Sequence, residues 1–557
     1  MKIVECVPNF SEGSDKNILN QISEVISSVE GVKLLDVDPG VATNRTVFTF
    51  VGTPEAVLDA AFNGIKKATE LIDMTKHKGA HPRIGATDVC PFVPVSNVTM
   101  QECIELAKKL GKRVGKELNI PVYLYEEAAQ REDRKNLANI RQGEYESLKN
   151  RFQGKVDEKW APDFGPAEFN AKAGATVIGA REFLIAYNIN LNTKEKKYAH
   201  DIALDIREAG RSKRDDGGEI MRDDKGRAVN QPGIFKQLKA IGWVIPEYKR
   251  AQISMNLTNY KITPPHVVME EVRKQAEKRG VVVTGSEIVG LVPLASMTEA
   301  GKFYLKKMGG SLGAPESELV QCAIQSMGLN DISQFDPQKR IIEYAMGTRK
   351  DLLMELSTKE FVNELSSNSK APGGGSVAAL NASLGAALCA MVANLTVGKK
   401  GYEDHFERLN IIGQRGQELK DFFSKAVDED TAAFNEVIAA TALPKEQRGQ
   451  ALEMATKKAV QVPYSVLEKL PVVLDLVEEL VEKGNSNSLS DVGVAALTSG
   501  SSASGAYMNV IINLSGLSDK LFIDEYMQNG KKLNKNIQEK TSKIISKIIA
   551  KLEAEVK

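Results

Sequence analysis

The chain has 557 residues, and its 73 Lys+Arg balance 73 Asp+Glu, so the net charge is zero. That balance argues against a surface built to wrap nucleic acid, though it leaves room for a local basic groove. A content of 42% hydrophobic and 26% charged residues is that of a soluble globular protein with roughly three to four domains. The five cysteines (Cys6, Cys90, Cys103, Cys322, Cys389) are odd in number and scattered, with no C-x-x-C, and read as free thiols of a reducing compartment. The opening "MKIVECV" reads as a strand with no signal peptide behind it, so a cytoplasmic location is expected.

In chain order, Lys2–Val7 reads as a strand and Asp15–Ser28 as a helix with Ile18, Ile22, Val25 and Ile26 on its apolar face. Val32–Val37 and Arg45–Val51 are two further strands. Thr53 caps a helix that has Pro54 at its first position. "DVCPFVPV" (Asp88–Val95) reads as a strand whose prolines suit an edge or a strand end. The order β-α-β-β-α-β is the split βαβ pattern. A helix opened by a Thr99/Glu102 capping box, the strand Pro121–Tyr125 and a charged helix follow. Asp163–Gly179 is a Gly/Pro-rich connection.

The same order returns with Phe183–Leu191, Lys194–Ala209, Trp243–Glu247, Ala251–Thr258, His266–Lys278 and Val281–Ile288. Inside it, Arg214–Gly233 is a polar excursion that reads as an exposed hairpin or loop. From about Ser357 strand signals cease and long helical stretches run to Lys557. The expected fold is α+β followed by all-α: two split-βαβ, ferredoxin-like subdomains (1–180 and 181–343), a linker (344–357) and a helical domain (358–557). Val377–Val397 carries no charge and has the length of a membrane span, but its Ala content and its Asn381, Ser383 and Asn394 favour a buried helix of a soluble domain. No membrane or nucleic-acid partner is expected.

"HKGAHPRIGATDVCPFVPV" (His77–Val95) holds two of only five histidines. His77 and His81 are four apart, but Gly79 and Pro82 break any helix and no carboxylate cluster supports a metal site. His81 lies in a loop joining a helix to a strand, where side chains commonly face clefts. Neutral imidazole can take and give a proton near neutral pH, and Arg83 is positioned to hold an anion. The residues alone leave a structural histidine and an acid/base group equally open. In "DFFSKAVDEDTAAFNEV" (Asp421–Val437), helical phase puts Asp428 with Asp421, Ser424, Lys425, Thr431 and Asn435, a solvated face. Asp430 falls among Phe423, Val427, Ala433, Phe434 and Val437, where a carboxylate needs a partner or a task. "APGGGS" (Ala371–Ser376) lacks the spacing and the Lys of a phosphate loop and reads as a glycine-rich helix entry. The basic clusters Lys108–Lys116 and Lys194–Lys197 are solvated helix faces or attractors of an anionic tail.

"VECVPNFSEG" (Val4–Gly13), "NRTVFTFVG" (Asn44–Gly52), His77–Val95, "WAPDFGP" (Trp160–Pro166), "ERLNIIGQ" (Glu407–Gln414) and "APGGGSVAA" (Ala371–Ala379) together resemble the bifunctional formimidoyltransferase-cyclodeaminases of histidine degradation, over nearly the whole chain. The resemblance implies two activities. The first transfers a formimino group from N-formimino-L-glutamate to N5 of tetrahydrofolate. The second cyclises the product to 5,10-methenyltetrahydrofolate with release of ammonia. It places the transferase acid/base on His81, the cyclodeaminase acid/base on Asp430, and folate binding on Gly165, Pro166, Ala167, Glu168, Phe169, Asn170, Ala171, Lys172, Ala173 and Gly174. Tetrahydrofolate, in polyglutamylated form, is then the co-substrate, and no metal is expected. The apolar small-residue segments Val377–Val397 and Val492–Leu514 favour self-association, as a dimer of the helical domain or a larger ring. Formimino-glycine as donor, a helical domain hydrolysing methenyltetrahydrofolate, and a non-catalytic folate-binding scaffold are the competing readings.

Overall fold

The computed structural model describes residues 2–40, 43–79, 82–154, 156–224, 226–245, 248–347 and 352–556. The chain divides into two compact units, Met1–Ser296 with Met327–Met346, and Met297–Ser326 with Gly347–Lys557.

The first unit contains two main sheets. The first is built of β1 (Ile3–Cys6), β2 (Asn9–Phe10), β3 (Val32–Gly40), β4 (Arg45–Gly52), β5 (Thr87–Ser96), β6 (Val122–Glu126) and β7 (Thr176–Ala180). β3, β4, β1 and β5 pair antiparallel in that order. The helices Lys16–Ser27 and Pro54–Leu71 bury Ile22, Ile26, Ala60 and Ile65 in one cluster with Val4, Cys6, Phe48, Phe50 and Phe92. Asp15 caps the first of these helices by accepting from the Asn17 and Ile18 N–H groups. The Thr99/Glu102 capping box opens the third, Met100–Glu117, as its sequence predicts.

Two strand assignments change. β5 is central despite Pro91 and Pro94, because β7 joins its far side in parallel and β6 joins β7. Pro91 still accepts from the Val7 N–H through its carbonyl. β7 falls inside the stretch that reads as a Gly/Pro connection. It is buried on both faces, so it has no polar alternation to reveal it.

The second sheet comprises β8 (Ile185–Leu191), β11 (Leu238–Ile245), β12 (Arg250–Leu257) and β13 (Val283–Val289), in the order β11-β12-β8-β13. This repeats the order β3-β4-β1-β5, so both halves are ferredoxin-like. The polar excursion is an exposed ribbon: β9 (Arg211–Ser212) pairs β10 (Asn230–Gln231), and isolated bridges join Arg214 to Ile220 and Arg222 to Ala228.

The second unit is helical: Thr358–Leu365, Gly374–Thr396, Phe406–Thr441, Lys445–Lys483, Leu489–Leu514 and Lys520–Val556. The uncharged Gly374–Thr396 helix lies inside this bundle. Gly416 comes against Ala390, and Gly385 against Ser499, which lets three helices approach closely. The helix pair spanning 297–326, carried by the sequence reading with the second α/β subdomain, packs here instead. Ser311 Oγ donates to Asn394 Oδ1 (2.6 Å), the Leu312 N–H to Asn410 Oδ1 (2.8 Å), and Gly313 abuts Gly413.

Two candidate active sites

At the mouth of the first sheet, four distant sequence motifs are tied together. Asn44, at the start of β4 with φ of 47°, accepts from the Gly13 N–H on Oδ1 (3.0 Å) and donates through Nδ2 to the Lys78 carbonyl (2.8 Å). A Cβ on Gly79 would stand 2.9 Å from that of Asn44, so only glycine fits. Ser11 Oγ donates to the Gly85 carbonyl (2.7 Å), and the Ala86 N–H donates to the Ala173 carbonyl (2.8 Å).

The guanidinium of Arg83 donates from Nε to His77 Nδ1 (3.2 Å). His77 therefore carries its proton on Nε2, which donates to the Asn44 carbonyl (2.9 Å). The rest of the Arg83 fork holds Glu144 Oε2 (2.8 Å) and both oxygens of Glu146 (2.9 and 2.6 Å). The residue expected as an anion anchor thus already holds two carboxylates, and it braces the 144–151 helix. Just beyond it, the buried Asp88 accepts from the Ile84 N–H (3.0 Å) and from Arg141. His81 lies outside the described residues; the chain is fixed before it at His77 and Lys78 and after it at Arg83 and Ile84.

The stretch expected to bind folate begins and ends on glycines in the left-handed region, Gly165 (φ 80°) and Gly174 (φ 70°). Both are required by backbone packing, Gly165 against Gly115 and Gly174 against Gly85. Between them Phe169 leans on the Tyr145 ring (5.8 Å), Asn170 Oδ1 caps the Ala173 N–H (2.9 Å), and Lys172 Nζ reaches the Glu70 carbonyl (2.7 Å). Ala167, Glu168 and Ala171 are exposed.

The helices Lys16–Ser27, Pro54–Leu71 and Met100–Glu117 cover one face of this sheet, while Leu148 of the 144–151 helix packs with Val89, Tyr123 and Val177 at the β5–β7–β6 end of its opposite face. Strand register puts Glu5, Asn9, Asp36, Asp38, Arg45 and Thr49 together on that opposite face. Burial lifts the Glu5 carboxyl to about 7, with the Arg181 charge opposing it, and burial likewise pushes the Arg45 guanidinium down. These groups escape a motif search. Their one signal is polar alternation, as in "VECV", where Glu5 stands between two core residues.

The second site lies at the start of the Gly374–Thr396 helix. The carboxylate of Asp430 lies over that start: it accepts from Ser376 Oγ on Oδ2 (3.1 Å) and from the Ser376 N–H. The same hydroxyl reaches the Val427 carbonyl (3.1 Å) and Thr431 Oγ1 (3.3 Å). Burial raises the Asp430 carboxyl above its ordinary value, and the two Ser376 bonds only partly offset this. Asp428 points the other way, as the helical phase requires, but it is not a solvated surface group. Its Oδ1 accepts from the Leu353 N–H (2.6 Å) and it helps line a cleft of 720 Å³ with Leu352, Leu356, Thr431 and Asn435. Among the described residues no group of three or more His, Cys, Asp or Glu is arranged to hold a metal ion.

Two ferredoxin-like subdomains are followed by a helical bundle, and each unit carries its own cluster of polar side chains. Family models agree with this division: "Formiminotransferase domain, N-terminal subdomain" matches residues 3–181, "Formiminotransferase domain" 186–347 and "Formiminotransferase-cyclodeaminase" 357–532. The chain is 45% identical over 551 residues to the formimidoyltransferase-cyclodeaminase of Dictyostelium discoideum, covering 98% of each. It is 48% identical over 311 residues to the glutamate formimidoyltransferase of Thermoplasma acidophilum, which covers 56% of this chain and 94% of that protein. It is 36% identical over 174 residues to the methenyltetrahydrofolate cyclohydrolase of Methylorubrum extorquens, 30% of this chain and 84% of that protein. The chain belongs to the formimidoyltransferase-cyclodeaminase family.

Proposed function

We propose that the α/β unit transfers the formimino group of N-formimino-L-glutamate to N5 of tetrahydrofolate, and that the helical unit then acts as an ammonia-lyase, closing 5-formimino-tetrahydrofolate to 5,10-methenyltetrahydrofolate. The observation that carries this reading is end-to-end similarity to a bifunctional relative over 98% of both chains. In the first reaction N5 attacks the formimino carbon, loses a proton, and the glutamate nitrogen gains one. His81 shuttles that proton, while His77, Asn44 and Arg83 hold the chain on either side of it. Gly165–Gly174 and the polar face of the first sheet bind the folate. In the second reaction Asp430 takes the N10 proton and returns it to the departing nitrogen. A carboxyl raised by burial suits both steps.

Folate enters as co-substrate, polyglutamylated in the cytoplasm, and neither step calls for a metal. Leu384, Leu395, Val494, Leu497, Met508 and Ile512 leave apolar side chains exposed on the Gly374–Thr396 and Leu489–Leu514 helices. That supports self-association through the helical unit, as a dimer or larger ring.

The similarity to a methenyltetrahydrofolate cyclohydrolase favours one alternative for the helical unit, hydrolysis of the methenyl product. The test supplies tetrahydrofolate with formimino-glutamate or formimino-glycine and follows methenyltetrahydrofolate absorbance and ammonia together. Ammonia and methenyl product in equal amounts, from the glutamate donor, are expected. Methenyltetrahydrofolate hydrolysis without ammonia-forming activity would replace the cyclodeaminase assignment. His81→Ala should abolish transfer while supplied 5-formimino-tetrahydrofolate is still consumed.

A further inference from the structure

The Gly374–Thr396 helix runs antiparallel to both helices that flank it. Against Phe406–Thr441, Gly375 meets Asp430, Ser383 Oγ donates to the Lys420 carbonyl (3.1 Å), and Ala390 meets Gly416. Against Leu489–Leu514, Gly374 meets Asn509, Ala378 meets Gly505, and Gly385 meets Ser499. Both flanking helices therefore continue past the point where the central one begins. At 1.5 Å per residue, Phe406–Thr441 projects about 16 Å beyond Asp430, and Leu489–Leu514 about 7 Å beyond Asn509. The glycine-rich start is the floor of a recess between them, and Gly374 is exposed to it.

One further side chain faces this floor besides Asp430. Asn509 brings its Nδ2 to 3.3 Å from where a Gly374 Cβ would be, and its Oδ1 to 3.8 Å. That amide donates once, to the Gly505 carbonyl (2.9 Å), and its Oδ1 accepts no hydrogen bond from the described residues. Phe434, one turn beyond Asp430 on the same helix face, is 39% exposed.

Resting on the reading of Asp430 as the cyclodeaminase acid/base, we propose that Asn509 is a substrate-positioning residue of that reaction: its carboxamide oxygen accepts from the formimino nitrogen across the recess from the Asp430 carboxylate, with the Phe434 ring against the pterin. The formimino group is an amidine, which as a cation carries two N–H donors on its terminal nitrogen. Asn509 holds that nitrogen while N10 attacks the formimino carbon and a C–N10 bond forms. The N10 proton passes to Asp430, leaving a neutral amine on the tetrahedral carbon. Asp430 returns the proton, the C–N bond breaks, ammonia leaves, and N5–C–N10 retains the positive charge as the methenyl cation.

The full-length enzyme is assayed with supplied 5-formimino-tetrahydrofolate, with circular dichroism melting as the folding control. Asn509→Ala should raise KM at least tenfold, with transferase constants unchanged. Asn509→Asp keeps an acceptor of the same size but loses the donor to Gly505. It should hold KM near wild type, and its extra carboxylate should move the acid limb of the kcat–pH profile to higher pH. A folded Asn509→Ala enzyme with KM within twofold of wild type overturns the proposal. So does an Asn509→Asp enzyme as impaired in KM as Asn509→Ala, because the Gly505 bond would then be the reason for the asparagine. Asp430→Asn separates the two levels: if it keeps cyclodeaminase activity, the reading of the whole centre fails, whereas an inactive Asp430→Asn beside a normal Asn509→Ala removes only Asn509.

Discussion

A Cβ on Gly375 would stand 2.6 Å from both Cγ and Oδ2 of Asp430. The carboxylate occupies the space in which a side chain would begin, so the glycine is what allows Asp430 to reach the Ser376 N–H and hydroxyl. Gly375→Ala improves helix propensity by about 1 kcal/mol in isolation, yet here it must push the carboxylate aside. We expect at least a hundredfold loss of cyclodeaminase kcat, an unchanged transferase rate, and accumulation of 5-formimino-tetrahydrofolate in the coupled assay. Wild-type ammonia release from Gly375→Ala would refute the placement of the second centre.

Asp428 tests the opposite side of the same helix. Because it accepts from the Leu353 N–H, Asp428→Ala should cost about 1–3 kcal/mol, seen as a lower melting temperature of the helical unit. Asp428→Asn retains an acceptor and should be milder. Cyclodeaminase kcat should survive both. A catalytic loss confined to Asp428 variants, with Asp430 variants active, would reverse the helical assignment.

Glu5 makes a pH-dependent contribution. Its carboxyl titrates near 7 in the folded chain, against about 4.5 ordinarily. The folded state thus binds the proton more tightly, so the contribution is fully present below about pH 4.5 and is lost as pH rises through 7. The difference is worth roughly 3 kcal/mol. Glu5→Gln should therefore leave acid stability nearly unchanged and raise stability relative to wild type at pH 8, measured by urea unfolding of the α/β unit. Parallel wild-type and variant pH curves would disprove this.

Asn44 supports three contacts around the loop that carries His81. Asn44→Ala loses the two side-chain bonds and strains the positive φ; Asn44→Gly loses the bonds alone. Transferase kcat should drop tenfold or more in both, further in Asn44→Ala, with cyclodeaminase constants intact. Equal loss of both activities would point to general unfolding.

Extended dialysis against a chelator should leave both activities within error of the untreated enzyme. Stoichiometric metal in elemental analysis, lost together with activity and restored with it, would overturn the metal-free assignment.

Local patterning reached far in this chain. Helical phase separated Asp430 from Asp428, and alternation with turn chemistry located both β-α-β-β-α-β repeats, because these depend on residues a few positions apart. β7 escaped because a strand buried on both faces shows only an apolar run, and proline-bearing β5 looked like an edge because its second neighbour arrives more than 80 residues later. The same limit applies to the sites. Sequence supplied the His81 loop and the Asp430 helix as candidates, and it located most of the secondary elements and the core-facing side of the amphipathic helices. Only the tertiary structure decided that Arg83 is committed to Glu144 and Glu146, that Glu5 is buried, that the 297–326 helices pack with the bundle, and that Asn509 meets the glycine-rich start 135 residues before it. Those outcomes rest on desolvation and on backbone close approach between distant segments, energies that do not exist until the chain has brought them together.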